Sequence, residues 1–233
     1  MKKFFGKLEN NNIIIDGEDL GHLAVLRCDK DEEILCFCGD EYEYRCKIQE
    51  ITKKYAICLI LDKKLCKKNP TKNIVLFQGL PKLDKLELIT QKLTELGISR
   101  IVPFESDFTI AKKNINKIER LNKISKESCK QCGRSLPVII EEPIKFNDIK
   151  EKLKDFDLIL FANETNREIT DINFNNKKNI AVIVGSEGGF SNREQEILLK
   201  DERITQIGLG ERILRTETAS IVLCGIVSYL TKN

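Results

Sequence analysis

The stretch from Ile180 to Phe190 reads Ile-Ala-Val-Ile-Val-Gly-Ser-Glu-Gly-Gly-Phe. Its apolar, largely β-branched first half predicts a buried strand, and its second half predicts a glycine-rich turn that carries one acid, Glu187. Glycines at the end of a buried strand let the backbone approach a ligand closely. The stretch therefore predicts a ligand-binding turn inside an α/β sheet.

A second glycine turn follows in the stretch from Leu209 to Ala219, which reads Leu-Gly-Glu-Arg-Ile-Leu-Arg-Thr-Glu-Thr-Ala. It opens into a segment that carries two arginines and Glu217. Two such turns at the ends of predicted strands can form one pocket for a small molecule.

The sequence around these turns alternates between strand and helix patterns, which predicts a parallel α/β sheet. Gly97 and Gly133 are predicted to end the first two helices. The predicted strands are Asn73–Gln78, Ile98–Phe104, Leu136–Ile140, Asp157–Ala162, Ile180–Val184 and Ile204–Leu209. The predicted helices are Asp84–Leu96, Lys112–Cys132, Phe146–Leu153, Asn192–Leu199 and Thr216–Leu230, with Ser191 and Glu194 as a capping box before the fourth.

The N-terminal part of the chain has a different pattern. Short β-rich segments, separated by glycine, asparagine and aspartate, predict a small barrel with one helix near its start. The strands are expected at Ile13–Ile15, Glu33–Cys38, Tyr42–Gln49 and Tyr55–Leu61, and the helix at Asp19–Arg27. A polar breaker at Cys66–Pro70 marks the boundary, so we expect one domain over residues 1–68 and a second over 69–233.

Composition narrows the class of protein. Basic residues outnumber acidic ones by five within residues 69–146, which suits a polyanion but also a solvated lysine-rich surface. No apolar run is long enough for a membrane span and the first residues lack the core of a secretory signal, so we expect a cytoplasmic protein. The nine cysteines favour free, buried thiols, with zinc at Cys36/Cys38 or Cys129/Cys132 as the alternative.

Four ordered motifs resemble one family. They are Phe4-Phe5 with His22–Arg27, the segment Gly79–Gly97, the segment Glu127–Pro137, and the two glycine turns. Together these motifs are similar to the SPOUT methyltransferases, and among them to the enzymes that make 3-methyluridine in 16S ribosomal RNA. The resemblance implies a C-terminal trefoil-knotted methyltransferase domain, an N-terminal PUA-like RNA-binding barrel, S-adenosyl-L-methionine as cofactor, a homodimer, and no metal.

The resemblance also implies a set of cofactor contacts. The first turn lacks the lysine of a phosphate-binding loop, and its acid disfavours a polyphosphate while tolerating a cationic sulfonium. The implied contacts are Leu160, Ala162, Gly185, Ser186, Glu187, Gly188, Leu209, Gly210, Ile213, Leu214 and Thr218.

Methylation of uracil N3 requires loss of the N3 proton, so the site needs a base or a cation that stabilises the uridinate. Arg215 and Arg212 are candidates for the cation. Glu217 is the candidate base, or the group that orients Arg215. The pair Arg215/Glu217 is alternatively a structural ion pair. His22 is a further candidate if its domain reaches the pocket.

The candidate RNA contacts are Arg27, Lys82, Lys85, Lys92 and Arg134, each of which is otherwise an ordinary surface charge. With no tryptophan in the chain, base stacking is expected to rely on Phe190, a tyrosine or an arginine plane.

The chain departs from the family pattern at Lys3, Phe108 and Leu121, and at the cysteines of the third motif. Two alternatives stay open: methylation of a ribose 2′-hydroxyl, and a non-catalytic ribosome assembly factor.

Overall fold

The computed structural model describes residues 1–109, 116–163 and 172–233. This part of the chain forms two compact units. The first comprises Met1–Asn69 with Cys129–Pro137, and the second comprises Pro70–Ser128 with Val138–Asn233. No helix within the described ranges is long and apolar enough to cross a membrane.

The first unit contains six strands and one helix: β1 (Lys3–Phe5), β2 (Lys7–Glu9), β3 (Asn12–Asp16), α1 (Gly17–Val25), β4 (Glu33–Phe37), β5 (Tyr42–Ile51) and β6 (Tyr55–Leu65). They form one sheet in the order β1-β4-β5-β6-β3-β2. The pairing of β5 with β6 shifts register twice, and such bulges bend and twist a sheet. The small PUA-like barrel predicted for this part of the chain is confirmed in the form of a curled sheet, a half-barrel, and strands β1 and β2 were not predicted.

The inward side of this sheet is lined by small thiols. Cys36, Cys46 and Cys58 are completely buried beside Ile34 and Tyr44. Neighbouring thiols together with burial hold the pKa of Cys36 well above its usual value, so the thiol stays neutral. The cysteines are free, and the described residues bring together no group of three or more metal-binding side chains.

The second unit alternates strands with helices. Its elements are β7 (Asn73–Gly79), α2 (Leu83–Glu95), β8 (Arg100–Glu105), α3 (Asn116–Cys132, whose last turn belongs to the first unit), β9 (Ile139–Ile140), β10 (Ile144–Lys145), a 3-10 turn (Phe146–Asp148), α4 (Ile149–Lys152), β11 (Leu158–Ala162), β12 (Asn179–Val184), α5 (Asn192–Leu199), β13 (Ile204–Ile207) and α6 (Thr216–Leu230). The predicted helix over Lys112–Cys132 begins outside the described residues.

All pairings in the second sheet are parallel, which confirms the predicted sheet class. Its strand order is β10-β8-β7-β12-β11-β13, with β9 paired to β8. One face packs on α2 and α6 through Leu86, Leu93 and Leu223, and the other packs on α4 and α5 through Ile149 and Leu198. Gly97, at φ +80°, ends α2 as predicted, since a left-handed residue suits glycine. The trefoil knot stays a prediction of the resemblance.

Several predicted elements differ in extent. The helix predicted over Asp19–Arg27 spans Gly17–Val25, and the helix predicted over Phe146–Leu153 is a 3-10 turn followed by the short α4. The strand predicted over Leu136–Ile140 is limited to Ile139–Ile140, because the backbone N–H of Leu136 donates to the side chain of Asn69 and Pro137 has no N–H to donate. The strand predicted to continue to Leu209 ends at Ile207, before the second glycine turn.

Candidate active site at the carboxyl edge of the second sheet

The parallel order of the second sheet brings five loops to one edge. Strands β8, β7, β12, β11 and β13 are neighbours in that order. The carboxyl ends of parallel strands meet at one edge, which is where open α/β sheets bind ligands. The two predicted glycine turns therefore lie at the same edge, separated by the single strand β11.

The first turn is held by a buried polar network. The amide nitrogen of Gln78 donates to the carbonyl oxygen of Gly185 (3.1 Å) and to the hydroxyl of Thr216 (2.9 Å). The Thr216 hydroxyl donates to the same carbonyl oxygen at 2.5 Å, and the Ser220 hydroxyl donates to the amide oxygen of Gln78 at 2.5 Å. All these groups are buried, so the network fixes the turn against the amino terminus of α6.

Sequence reasoning missed this network. Its only signal is a polar Gln78 at the end of an otherwise apolar strand, Asn73–Gly79, since a buried amide must find partners. The partners come from loops and helices far along the chain, so their identity is not readable from the strand itself.

Backbones approach closely at Gly79. A Cβ there would collide with the backbone nitrogen of Ser186 and would lie 2.7 Å from the carbonyl carbon of Gly185. Both contacts are with backbone, which has little freedom to move away. The end of β7 therefore packs directly against the backbone of the first glycine turn.

The helix that follows the first turn begins as predicted. Ser191 accepts a hydrogen bond from the N–H of Glu194, and the Glu194 carboxylate accepts one from the N–H of Ser191. Glu194, which is completely buried, also accepts the N–H of Asp107 at 2.8 Å. This capping box therefore ties the loop after β8 to the first glycine turn.

A lysine joins the two acids that sequence analysis singled out. The Lys85 ammonium lies 3.2 Å from a carboxylate oxygen of Glu187 and 3.6 Å from Oε2 of Glu217. Burial alone would raise the pKa of Glu187, but hydrogen bonds from backbone N–H groups, including that of Lys82, and the Lys85 ammonium hold it below its usual value. Lys85 is thus part of this acidic cluster rather than a free surface cation.

Arg215 does not make the pair that was expected of it. Among the described residues, the ion-pair partner of Glu217 is Lys85. Arg215 is the residue before the first turn of α6 and its side chain is exposed, as is that of Arg212. The arginine therefore faces solvent at the edge where the glycine turns meet, and the idea that Glu217 orients Arg215 is not supported by this geometry.

The other predicted cofactor contacts differ in exposure. Ala162 ends β11 between the two turns, Gly210 bends the second turn with φ +92°, and Thr218 is exposed on the first turn of α6. Leu160, in contrast, is completely buried in the core, and Leu214 packs against the same core. Ser186 is buried, Gly188 and Leu209 lie on the turns, and Ile213 is 86% exposed.

The predicted RNA contacts are also divided. Lys82 is exposed next to the first turn, and Arg27 is exposed in the first unit at φ +51°. Lys92 pairs with Glu95 along its own helix. Arg134 is only 2% exposed and burial lowers its pKa, so its side chain does not face RNA and that prediction is corrected to a structural role.

Two further predicted site residues, His22 and Phe190, make packing contacts. His22, in the first unit, packs edge-on against Phe4 and lies 3.4 Å from the Lys130 ammonium, which also pairs with Asp19. Phe190 is half-buried and packs against Phe104, Phe146 and Phe161, which favours a packing role over the stacking surface that was expected.

A parallel sheet with two glycine turns at one edge, both beside the start of a C-terminal helix, is the arrangement expected of a SPOUT methyltransferase. The sequence profile of the RNA methyltransferase domain matches residues 67–228, and that of the RNA methyltransferase PUA domain matches residues 15–61. The chain belongs to this family of RNA methyltransferases, and its relatives are ribosomal RNA small subunit methyltransferases E.

Three relatives illustrate the similarity. The Bacillus subtilis ribosomal RNA small subunit methyltransferase E is 30% identical, with 100% of this chain and 98% of the relative covered. The Aquifex aeolicus enzyme of the same name is 31% identical, with 97% and 99% covered. The crystal structure of the Neisseria gonorrhoeae enzyme bound to S-adenosyl methionine superposes with a TM-score of 0.88 at 26% identity, covering 99% of this chain and 98% of that one.

Proposed function

We propose that the protein transfers a methyl group from S-adenosylmethionine to N3 of a uridine in the 16S ribosomal RNA of the small subunit. The observation that carries this proposal is the position of Arg215 and Glu217 at the start of α6, which the Gln78 network ties to the first glycine turn. Relatives with the same domains are named small subunit methyltransferases.

The residues at this edge fit the cofactor. A Cβ at Gly189 or at Gly210 would meet no other atom within 4 Å, so there is open space beside both turns. We propose that backbone groups of Gly185–Gly188 and Leu209–Gly210 hold the adenosine, with Ala162, Ile213, Leu214 and Thr218 around it. Glu187 places a carboxylate beside a ligand that carries a positive sulfonium.

Leu160, another predicted cofactor contact, is proposed to have a packing role. Its side chain is buried, so we assign it to supporting β11 rather than to direct contact. Ser186 has a similar supporting role, since its hydroxyl lies 3.4 Å from that of Ser106 in the neighbouring loop.

The protein supplies the groups that the uracil needs. S-adenosylmethionine, when bound, supplies an electrophilic methyl group. Arg215 is proposed to stabilise the negative charge that the uracil acquires when N3 loses its proton, with Arg212 as the second cation at the same turn. Glu217 is proposed to accept that proton, because its buried Oε2 accepts no hydrogen bond from any described residue and Lys85 lies just beyond hydrogen-bond distance.

Lys85 offers a direct test of the acidic cluster. We expect Lys85→Gln to weaken S-adenosylmethionine binding by roughly tenfold, because Glu187 and Glu217, left without their shared cation, repel each other and displace the first glycine turn. Lys92→Gln, which removes an exposed ion pair on the same helix, should change the affinity by less than about twofold. Calorimetric titration of both variants with the cofactor measures the difference.

The effect of Lys85→Gln on the stability of the fold is expected to depend on pH. The folded-state pKa of Glu187 is depressed, so its ion pair stabilises the fold above the ordinary glutamate pKa and loses that effect as the pH falls through the lower folded value. Denaturant unfolding should separate Lys85→Gln from the wild type at neutral pH and bring them together once the pH falls below the lowered folded-state pKa of Glu187. An equal separation at both pH values would contradict the assignment.

The two parts of the chain are proposed to divide the work. Residues 1–68 would bind RNA as a PUA-like domain, and residues 69–233 would carry the methyl transfer, with Arg27 and Lys82 as RNA contacts on the exposed surface. Lys92 would contact RNA only if its ion pair with Glu95 breaks. We place this activity in the cytoplasm, where small subunits are assembled.

A homodimer is also proposed. Helix α6 exposes large apolar side chains at Val222, Tyr229 and Leu230, with Tyr229 83% exposed, and exposed apolar patches of this kind commonly mark interfaces. Sedimentation equilibrium should then give about twice the 26.7 kDa mass of the chain. A monomer mass at micromolar concentration would contradict this proposal.

The function is tested by methyl transfer from labelled S-adenosylmethionine to unmodified small subunits, followed by nucleoside analysis. Label in 3-methyluridine supports the proposal. Label in a 2′-O-methylated nucleoside would assign the chain to a different RNA site. Absence of label together with absence of cofactor binding would point to an assembly factor without catalytic activity.

A further inference from the structure

Phe108 is an exposed aromatic side chain at the candidate active site. It lies in the loop after β8, and 50% of its surface is exposed. The ring packs against the first glycine turn, because a Cβ built on Gly188 would lie 2.7 Å from Cβ of Phe108 and 3.4 Å from its Cγ.

The backbone on both sides of Phe108 is fixed. The N–H of Asp107 donates to Glu194, and the Asp107 carboxylate accepts hydrogen bonds from Ser191 (2.6 Å) and Arg193 (2.8 Å). On the other side, the Thr109 hydroxyl accepts the N–H of Ser106 at 2.8 Å. Phe108 is therefore presented to solvent from an anchored loop, a property expected of a preorganised binding residue.

Other aromatic side chains are less suited to this role. Phe190, at the same edge, is half-buried, and its ring packs against three core phenylalanines. The described tyrosines lie either in the first unit or, as Tyr229, near the end of α6, away from the edge where that helix begins. Within the described part of the second unit, Phe108 is the exposed aromatic side chain that touches a glycine turn.

We propose that Phe108 is the stacking platform for the RNA base that the enzyme methylates. Stacking uses the face of the base and leaves its hydrogen-bonding edge, which carries N3 in uracil, free to enter the site. A base that is methylated on that edge must first leave its own stack, and an exposed ring replaces the lost contact. This inference rests on the proposed function.

The test compares four substitutions by steady-state kinetics on unmodified small subunits. Phe108→Ala and Phe108→Leu are expected to lower kcat/KM for the subunit by about 5- to 100-fold, the range that base stacking accounts for. Phe108→Tyr, which keeps an aromatic face, should stay within about threefold of the wild type. Leu199→Ala, which removes an exposed apolar side chain at the far end of α5, is the control and should have no effect.

Calorimetric titration with S-adenosylmethionine separates the explanations. Phe108 variants that bind the cofactor as the wild type does, but use the subunit poorly, support the proposal. Wild-type kinetics in Phe108→Leu would overturn it in favour of simple packing against Gly188. A loss of cofactor affinity parallel to the loss of activity would also overturn it, because the ring would then serve the cofactor.

Failure of the proposed function is distinguishable from failure of this inference. If the wild type binds the cofactor but methylates no RNA, the affinity of the same variants for small-subunit RNA is measured by filter binding. A weaker affinity of Phe108→Leu, restored in Phe108→Tyr, still supports an RNA-stacking ring. Equal affinities in all variants would refute it.

Discussion

Arg215→Ala is expected to lower the rate of methyl transfer by about 100- to 1,000-fold while leaving the affinity for S-adenosylmethionine within about threefold of the wild type. Removing one preorganised donor from a site where charge develops commonly costs this much. The loss should be in the chemical step, because the guanidinium is proposed to stabilise the uridinate and not the bound cofactor. Single-turnover kinetics with labelled cofactor measures that step directly.

The position of Arg215 makes the result specific. The residue precedes the first turn of α6, and its exposed side chain carries no ion pair with Glu217 among the described residues. A conservative Arg215→Lys should recover part of the rate, since it keeps the charge but not the two-pronged donor. Arg203→Ala, which removes an exposed arginine paired with Asp201, serves as the matched control.

Two outcomes would contradict the assignment. An unchanged single-turnover rate in Arg215→Ala would move the cation role to Arg212 or elsewhere. A cofactor affinity that falls as much as the rate would instead make Arg215 a binding residue for the cofactor.

Much of the scaffold could be predicted because helix caps, helix ends and buried strands depend on residues that are close together in the sequence. The capping box of Ser191 and Glu194 needs only residues three apart, and it fixed the start of α5. Gly97 ended α2 because a left-handed residue after a helix favours glycine. The apolar run of β12 predicted a buried strand because strands in parallel sheets are covered on both faces.

The candidate site was less readable because its contacts join distant segments. Lys85, predicted as an RNA contact, instead pairs with Glu187 of the first glycine turn and with Glu217 of the first turn of α6. Arg134 looked like a surface cation from sequence, but its side chain is buried. Charge type can be read from a sequence, whereas burial and pairing are decided by the tertiary packing around each side chain.

Gly79→Ala is expected to disturb the cofactor turn more than any other single methyl group added to the sheet edge. The new Cβ would collide with the backbone nitrogen of Ser186 and approach the carbonyl carbon of Gly185 to 2.7 Å. The turn cannot simply shift, because the Gly185 carbonyl oxygen is held by both Gln78 and Thr216. We expect the free energy of unfolding to fall by about 1–3 kcal/mol and the cofactor affinity to fall by at least about tenfold.

Gly21→Ala provides the matched control for this prediction. Gly21 lies inside α1, and a Cβ there would meet no atom within 4 Å. Because alanine favours the helix, this variant should leave cofactor binding unchanged and gain up to about 1 kcal/mol of stability. Denaturant unfolding and calorimetric titration of both variants give the comparison. If Gly79→Ala bound the cofactor as tightly as the wild type, the first glycine turn would not depend on its close approach to β7, and the cofactor would have to be placed elsewhere on this edge.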